Sequence, residues 1–242
     1  MNQDPPHILR SFEQSNQTLR AELLTMALLA RQNVERAMRA LFEHDADLAR
    51  AVIADDTEVD ELERKVDHLG MEILVRYNPV ARDLRLVLGA MRIAMSLERI
   101  SDHAVNIAKR ARKAAARPPL AETRLLEPVA QMAIGQLGDA IAAFTEQNGE
   151  LGQSIIAHDK ELDRQYKKLV NDLSARLEEG RGLTEDYLHL IFAARSLERV
   201  GDLAVNIGEE AVFLETAKDI RHEKRLQQAR PEALEPAPGE GG

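Results

Sequence analysis

The chain has 242 residues, 44% of them hydrophobic and 30% charged, with a formal net charge of −9 and no cysteine. That length can bury one large core or two small ones, the missing cysteines exclude disulfides and thiolate metal sites and suit a reducing compartment, and the acidic balance argues against generic nucleic-acid binding, which needs basic charge to displace counterions. Aromatic residues make up only 3%, the helix formers Ala, Leu, Glu and Arg dominate, and no alternating Val/Ile/Thr run predicts a strand.

After Pro5-Pro6, helical periodicity runs from about Ile8 to His44, with Leu19, Leu23, Met26, Ala30, Val34, Ala37 and Leu41 on one face. Nothing in the polar start reads as a signal peptide. Asp45 is placed to cap a second helix that reaches Tyr77, where Asn78-Pro79 stops it. A third helix spans about Ala81 to Ala116 before Arg117-Pro118-Pro119. Its least polar stretch, Leu86 to Leu97, is too short to span a bilayer. The pattern then restarts. A fourth helix covers about Glu122 to Gln147 and a fifth Glu150 to Glu179, ended by Gly180-Arg181-Gly182. A sixth, with Thr184 as cap and Glu185 and Asp186 in its first turn, runs to about Ala217. Residues 219–230 are charged, and Pro231–Gly242, rich in Pro, Gly and Glu, reads as a disordered tail.

The two halves repeat. Ser96-Leu-Glu-Arg-Ile-Ser-Asp-His-Ala-Val-Asn-Ile-Ala108 returns as Ser196-Leu-Glu-Arg-Val-Gly-Asp-Leu-Ala-Val-Asn-Ile-Gly208, nine of thirteen positions being identical. Asp56-Thr-Glu-Val-Asp60 returns as Asp159-Lys-Glu-Leu-Asp163. The predicted fold is therefore all-α: six long helices in two pseudosymmetric antiparallel three-helix bundles, residues 1–118 and 119–220, followed by a tail over 221–242.

Glu98, Asp102 and Asn106 fall at i, i+4 and i+8 on a third helix that is apolar on nearly every other side, and Glu198, Asp202 and Asn206 repeat the line. A buried, unpaired carboxylate is costly, so the line calls for a neutralising partner. The second and fifth helices supply Asp56 with Asp60 and Asp159 with Asp163, and counting from the turn at Asn78-Pro79 puts Asp60 level with Glu98. Four carboxylates at one level repel unless protons, arginines or cations neutralise them. Arg99 and Arg199 could pair with the acids as an ordinary helix-surface network. The duplication across adjacent helices favours hard-cation sites, and all-oxygen donors suit Mg²⁺, Mn²⁺, Ca²⁺ or iron rather than zinc. The histidines are scattered: His103, whose counterpart in the repeat is Leu203, reads as a packing or surface residue, and His158 adjoins an acidic pair. Met91 and Met95 read as core, and Glu58, Glu61 and Glu63 as a solvated face. The chain has no Walker-type loop, no Gly-x-Ser-x-Gly, no Glu-x-x-His and no His-Glu-x-x-His, so no catalytic constellation is expected.

Two copies of Leu-Glu-Arg-(Ile/Val)-x-Asp-x-Ala-x-Asn-Ile, with Asn78-Pro-Val-Ala-Arg-Asp-Leu-Arg85 opening the third helix, resemble the PhoU family over roughly residues 8–218. The resemblance implies a pair of pseudosymmetric three-helix bundles whose Glu/Asp-x-x-x-Asp motifs hold metal clusters at the bundle surface. Here these are Glu98 with Asp102 and Glu198 with Asp202, faced by Asp56, Asp60, Asp159 and Asp163. It also implies a cytoplasmic negative regulator of the phosphate-starvation response, usually a homodimer. Such a regulator acts through the ATPase subunit of the high-affinity phosphate transporter and a sensor histidine kinase, touching the membrane only through those partners. The second half departs from the pattern, with Gly182-Leu-Thr-Glu-Asp-Tyr in place of the Pro-Val-Ala-Arg-Asp-Leu-Arg opening, so the halves are expected to dock differently. The competing readings are a metal-dependent helical enzyme and a purely structural helical adaptor.

Overall fold

The computed structural model describes residues 5–178 and 184–221. They form α1 (Pro5–Glu43), α2 (Ala46–Tyr77), α3 (Ala81–Ala114), α4 (Glu127–Thr145), α5 (Gly149–Glu178) and α6 (Thr184–Thr216), with a short 3₁₀ turn, Ala121–Leu126, before α4. No strand occurs among the described residues. The Gly180-Arg181-Gly182 stop and the tail from 222 onward lie outside them.

The local signals act as chemistry dictates. Asp45 caps α2 by accepting hydrogen bonds from the Asp47 and Leu48 amides at 2.9 and 2.8 Å. Asn78 ends it in the left-handed region, φ 47°, and Pro79 prevents continuation. The fourth helix starts later than periodicity predicts. Pro128 has no amide to donate backwards, so the chain before it winds as 3₁₀ and the α-helix begins anew with proline in its first turn.

All seven residues of the α1 face predicted from spacing are buried. On α2 the fully buried positions Val52, Val59, Val66 and Ile73 recur every seventh residue, and α5 repeats this with Ile155, Leu162 and Leu169. Such a narrow stripe suits a helix packed along one seam at the edge of a bundle. By contrast, α3 and α6 are buried on most sides. Helices α1, α2 and α3 pack together, α4, α5 and α6 pack together, and α3 lies along α6 between them. At the rim, Ser11 hydrogen-bonds Tyr77 at 2.7 Å and Phe12 meets the Tyr77 ring edge-on, fixing the start of α1 to the end of α2. Met91 packs partly buried against the core, but Met95 is 55% exposed, contrary to the core role its spacing predicts.

The α3–α6 seam is antiparallel. Arg92 on α3 reaches Glu210 on α6 at 3.4 Å, and Arg110 lies 4.6 Å over the ring of Phe192. Since α6 repeats α3, the pseudo-twofold axis passes between Ser101 and Gly201.

Candidate functional site

The repeat builds two related sites beside that axis. In the first half, buried Asn33 on α1 donates to Ser101 Oγ at 3.2 Å, and Ser101 donates to Asp56 at 2.8 Å. In the second half, Gln136 on α4 occupies the place of Asn33 and donates to Asp159 at 3.3 Å and to the Gly201 carbonyl at 3.4 Å. Gln136 is one methylene longer than Asn33, and Gly201 lacks the hydroxyl of Ser101. The long amide thus makes directly the link that the short amide makes through serine. The spare volume goes to packing: a Cβ on Gly201 would sit 2.1 Å from Leu162, whose first-half equivalent is the smaller Val59.

Around Asp56 the acids predicted from sequence lie near enough to feel one another's charge. Glu98 is held above its ordinary pKa by partial burial first, then by Asp102, Glu63, Asp60 and Asp56. Asp56 is raised by burial, against the Ser101 hydrogen bond, with Asp60 and Asp102 adding repulsion. The structure adds a fifth member. Glu63, read from sequence as solvated, is half-buried, and its pKa is raised by burial, Asp67 and Asp60. The sequence signal existed: Glu63 follows Asp60 by three residues and Asp56 by seven, and so shares their face. Glu58 and Glu61 are exposed, as predicted.

The expectation of a buried acidic line is corrected in one respect. Asp102 and Asn106 are exposed and Glu98 is half-buried, so the line runs along the edge of α3 rather than through the core. Asn106 lines a groove with His103 and Arg110, and Asn206 is exposed.

The second half is compensated differently. Arg199 reaches Asp202 at 2.8 Å and Glu198 at 3.4 Å, supplying countercharge within α6. Glu198 is raised by burial and Asp202, then lowered by Arg199 and raised by Asp163. Asp202 is raised by burial against Arg199. Tyr166 stands where the first half has Glu63, and its hydroxyl pKa is raised by burial and by Glu198. Asp159 turns to Gln136 instead. Arg99, the counterpart of Arg199, is exposed and forms no ion pair among the described residues. Exposed His158 points to no role at the site, and His103 is half-buried on the seam.

The donor chemistry of the first half, five carboxylates with Arg64 and Lys109 only as distant countercharge, is of the kind a hard cation takes. As the side chains stand, no three His, Cys, Asp or Glu among the described residues converge into a set that could hold a metal ion.

A family model described as the PhoU domain matches residues 23–111 and again 126–211, once on each half. The chain belongs to the PhoU family. A phosphate-specific transport system accessory protein PhoU homolog of Xylella fastidiosa is 32% identical over 209 residues, covering 86% of each chain. One from Rhizobium meliloti is 34% identical over 220 residues, covering 90% of this chain and 92% of its own. The crystal structure of PhoU from Pseudomonas aeruginosa superimposes with a TM-score of 0.82 at 31% identity, covering 86% of this chain and all of that one. Both PhoU matches contain the acidic line of their half, Glu98 with Asp102 and Glu198 with Asp202. No helix among the described residues is long and apolar enough to cross a membrane.

Proposed function

We propose that this chain is a cytoplasmic negative regulator of the phosphate-starvation regulon and a modulator of high-affinity phosphate uptake. It acts by binding other proteins, the ATPase subunit of the phosphate transporter and a sensor histidine kinase, as a homodimer and without chemistry of its own. The observation that carries this reading is the PhoU domain matched on both halves, in a chain that shares most of its length with transport accessory proteins. The acidic net charge favours indirect repression over DNA contact, and the chain has no Walker-type loop with which to hydrolyse ATP.

Within this reading the acidic edges are cation sites. Asp56, Asp60, Glu63, Glu98 and Asp102 would hold a hard cation (Mg²⁺, Mn²⁺, Ca²⁺ or iron) on the first half, and Asp159, Asp163, Glu198 and Asp202 one on the second. The ion would supply countercharge that removes the repulsion between α2 and α3, or between α5 and α6, and stiffens the pair as a docking face. Asn106 and Asn206 flank these sets one turn further along, and Arg99 and Arg199 stand beside them.

A deletion strain tests the function. It should express starvation genes in abundant phosphate, and tagged protein should retain the transporter ATPase or the kinase from phosphate-replete cells. Repression that persists in the deletion strain would falsify the proposal, as would hydrolysis of ATP or phosphate esters by the purified chain.

A further inference from the structure

The pseudo-twofold axis relates two surfaces along the α3–α6 seam, and they are chemically unlike. On one, Arg92 meets Glu210, which is 4% exposed and also pairs with Arg221 at 3.2 Å. Arginine and acid close that surface. On the other, the repeat puts Arg110 where Glu210 was and Phe192 where Arg92 was. The result is a groove of about 380 Å³ lined by His103, Asn106, Arg110, Phe192, Arg195 and Arg199, together with Ser196.

Only part of the charge in this groove is held in ion pairs. Arg199 is paired with Asp202, but Arg110 and Arg195 form no ion pair among the described residues. Arg110 is laid across Phe192, whose ring is 44% exposed and holds the guanidinium in place. Ser196 is already committed, donating to the Phe192 carbonyl at 3.1 Å. His103 is half-buried on the seam, and an imidazole ring always has at least one N–H to donate. The groove therefore offers guanidinium, imidazole and amide donors from both central helices, in a chain whose net charge is −9. Arginine is weakly hydrated and presents a planar fork of donors, the geometry that phosphate oxygens accept.

We propose that this groove binds a small anion carrying linked phosphate groups, with Arg110 and Arg195 as countercharge and Asn106 and His103 as hydrogen-bonding partners. A lone orthophosphate fills only part of the volume. The two free guanidinium groups come from different helices, which suits a pyrophosphate or triphosphate moiety lying along the seam. That moiety can come from an inorganic oligophosphate or from a nucleotide. Occupancy would bridge α3 and α6 directly, and so would join the halves.

Calorimetric titration of the full chain in metal-free buffer, with tripolyphosphate, ATP and sulfate in turn, tests this. Saturable binding of one tripolyphosphate per groove is expected, with sulfate failing to compete. Arg195→Gln and Arg110→Gln should each weaken binding by roughly tenfold or more, while Arg112→Gln, at an exposed position of α3 outside the groove, should leave it unchanged. Arg195 is itself exposed, so its variant should keep the wild-type melting temperature. Tighter binding of ATP than of tripolyphosphate assigns the site to nucleotides, and the reverse order assigns it to oligophosphates. Absence of saturable binding, or equal loss in Arg112→Gln and Arg195→Gln, overturns the proposal.

Discussion

At the scale of single residues, the two halves solve one packing problem with different side chains. Ser101 with Val59, and Gly201 with Leu162, conserve volume across the repeat, while Asn33 and Gln136 adjust the reach of the amide. Gly201→Ser forces a Cβ to within 2.1 Å of a buried Leu162 methyl, which must then shift within the core. It should destabilise the chain by about 1–3 kcal/mol in urea melts. Adding Leu162→Val reproduces the first-half pairing and should restore most of that loss. An undiminished loss in the double variant would show that the two sites are not equivalent. Buried His189 offers a second case. It is 5% exposed, neither ring nitrogen has a hydrogen-bond partner, and burial followed by Arg110 lowers its pKa below the usual 6.5. The unfolded chain thus binds a proton there that the folded chain refuses, so this contribution is lost as pH falls through 6.5 toward the lower folded value. His189→Leu should flatten the decline in melting temperature between pH 7 and the acid side and should be neutral or stabilising at pH 8. Unchanged pH slopes would mean that the ring is not protonation-linked to folding.

At the scale of elements, much was legible in the sequence. Periodicity located six helices, and Asp45 and Asn78-Pro79 gave their boundaries because caps and prolines act locally. The heights of Asp60 and Glu98 followed from counting back through one tight turn. Other features depend on which way a helix is rotated in the bundle, which linear spacing does not encode. Met95 fits an apolar period yet faces outward, the acidic line runs along an edge, and Glu63 belongs with the acids rather than the solvated face. Arg110 and Arg195 come together only because α3 runs antiparallel to α6, a tertiary fact. The same rotation argument gives an element-level prediction. Glu98→Gln with Asp102→Asn removes two charges that repel Asp56, Asp60 and Glu63 and that no arginine offsets. Thermal melts of the metal-free variant should show equal or higher stability, while Mn²⁺ affinity measured by titration falls. Glu198→Gln with Asp202→Asn removes the partners of Arg199 as well, so any gain should be smaller. Equal cation content in both variants and wild type would reduce the acids to a surface network.

At the scale of the whole molecule, two bundles share one seam, and the acidic edges impose a cost on each that depends on pH. Asp56, Glu63 and Glu98 on the first half and Glu198 and Asp202 on the second all have pKa values raised in the folded chain, with burial the leading cause. Each binds its proton more tightly folded than unfolded. Its stabilising contribution is therefore complete below the ordinary values of 3.8 for aspartate and 4.5 for glutamate and is lost as pH rises through the folded pKa. At neutral pH the metal-free chain bears the full repulsion, and a ligand that binds only the folded state recovers stability in proportion to the logarithm of its concentration over its dissociation constant. Protons and cations compete for the same oxygens. Millimolar Mn²⁺ or Mg²⁺ should accordingly raise the melting temperature clearly at pH 7.5 and much less at pH 5, where protonation has already relieved part of the repulsion. The variant Glu98→Gln with Asp102→Asn should lose most of the first-half share of that rise at pH 7.5. A cation shift of equal size at both pH values, or one that survives neutralisation of all four residues Glu98, Asp102, Glu198 and Asp202, would place the stabilising ions elsewhere on the molecule and leave the acidic edges without a cation role.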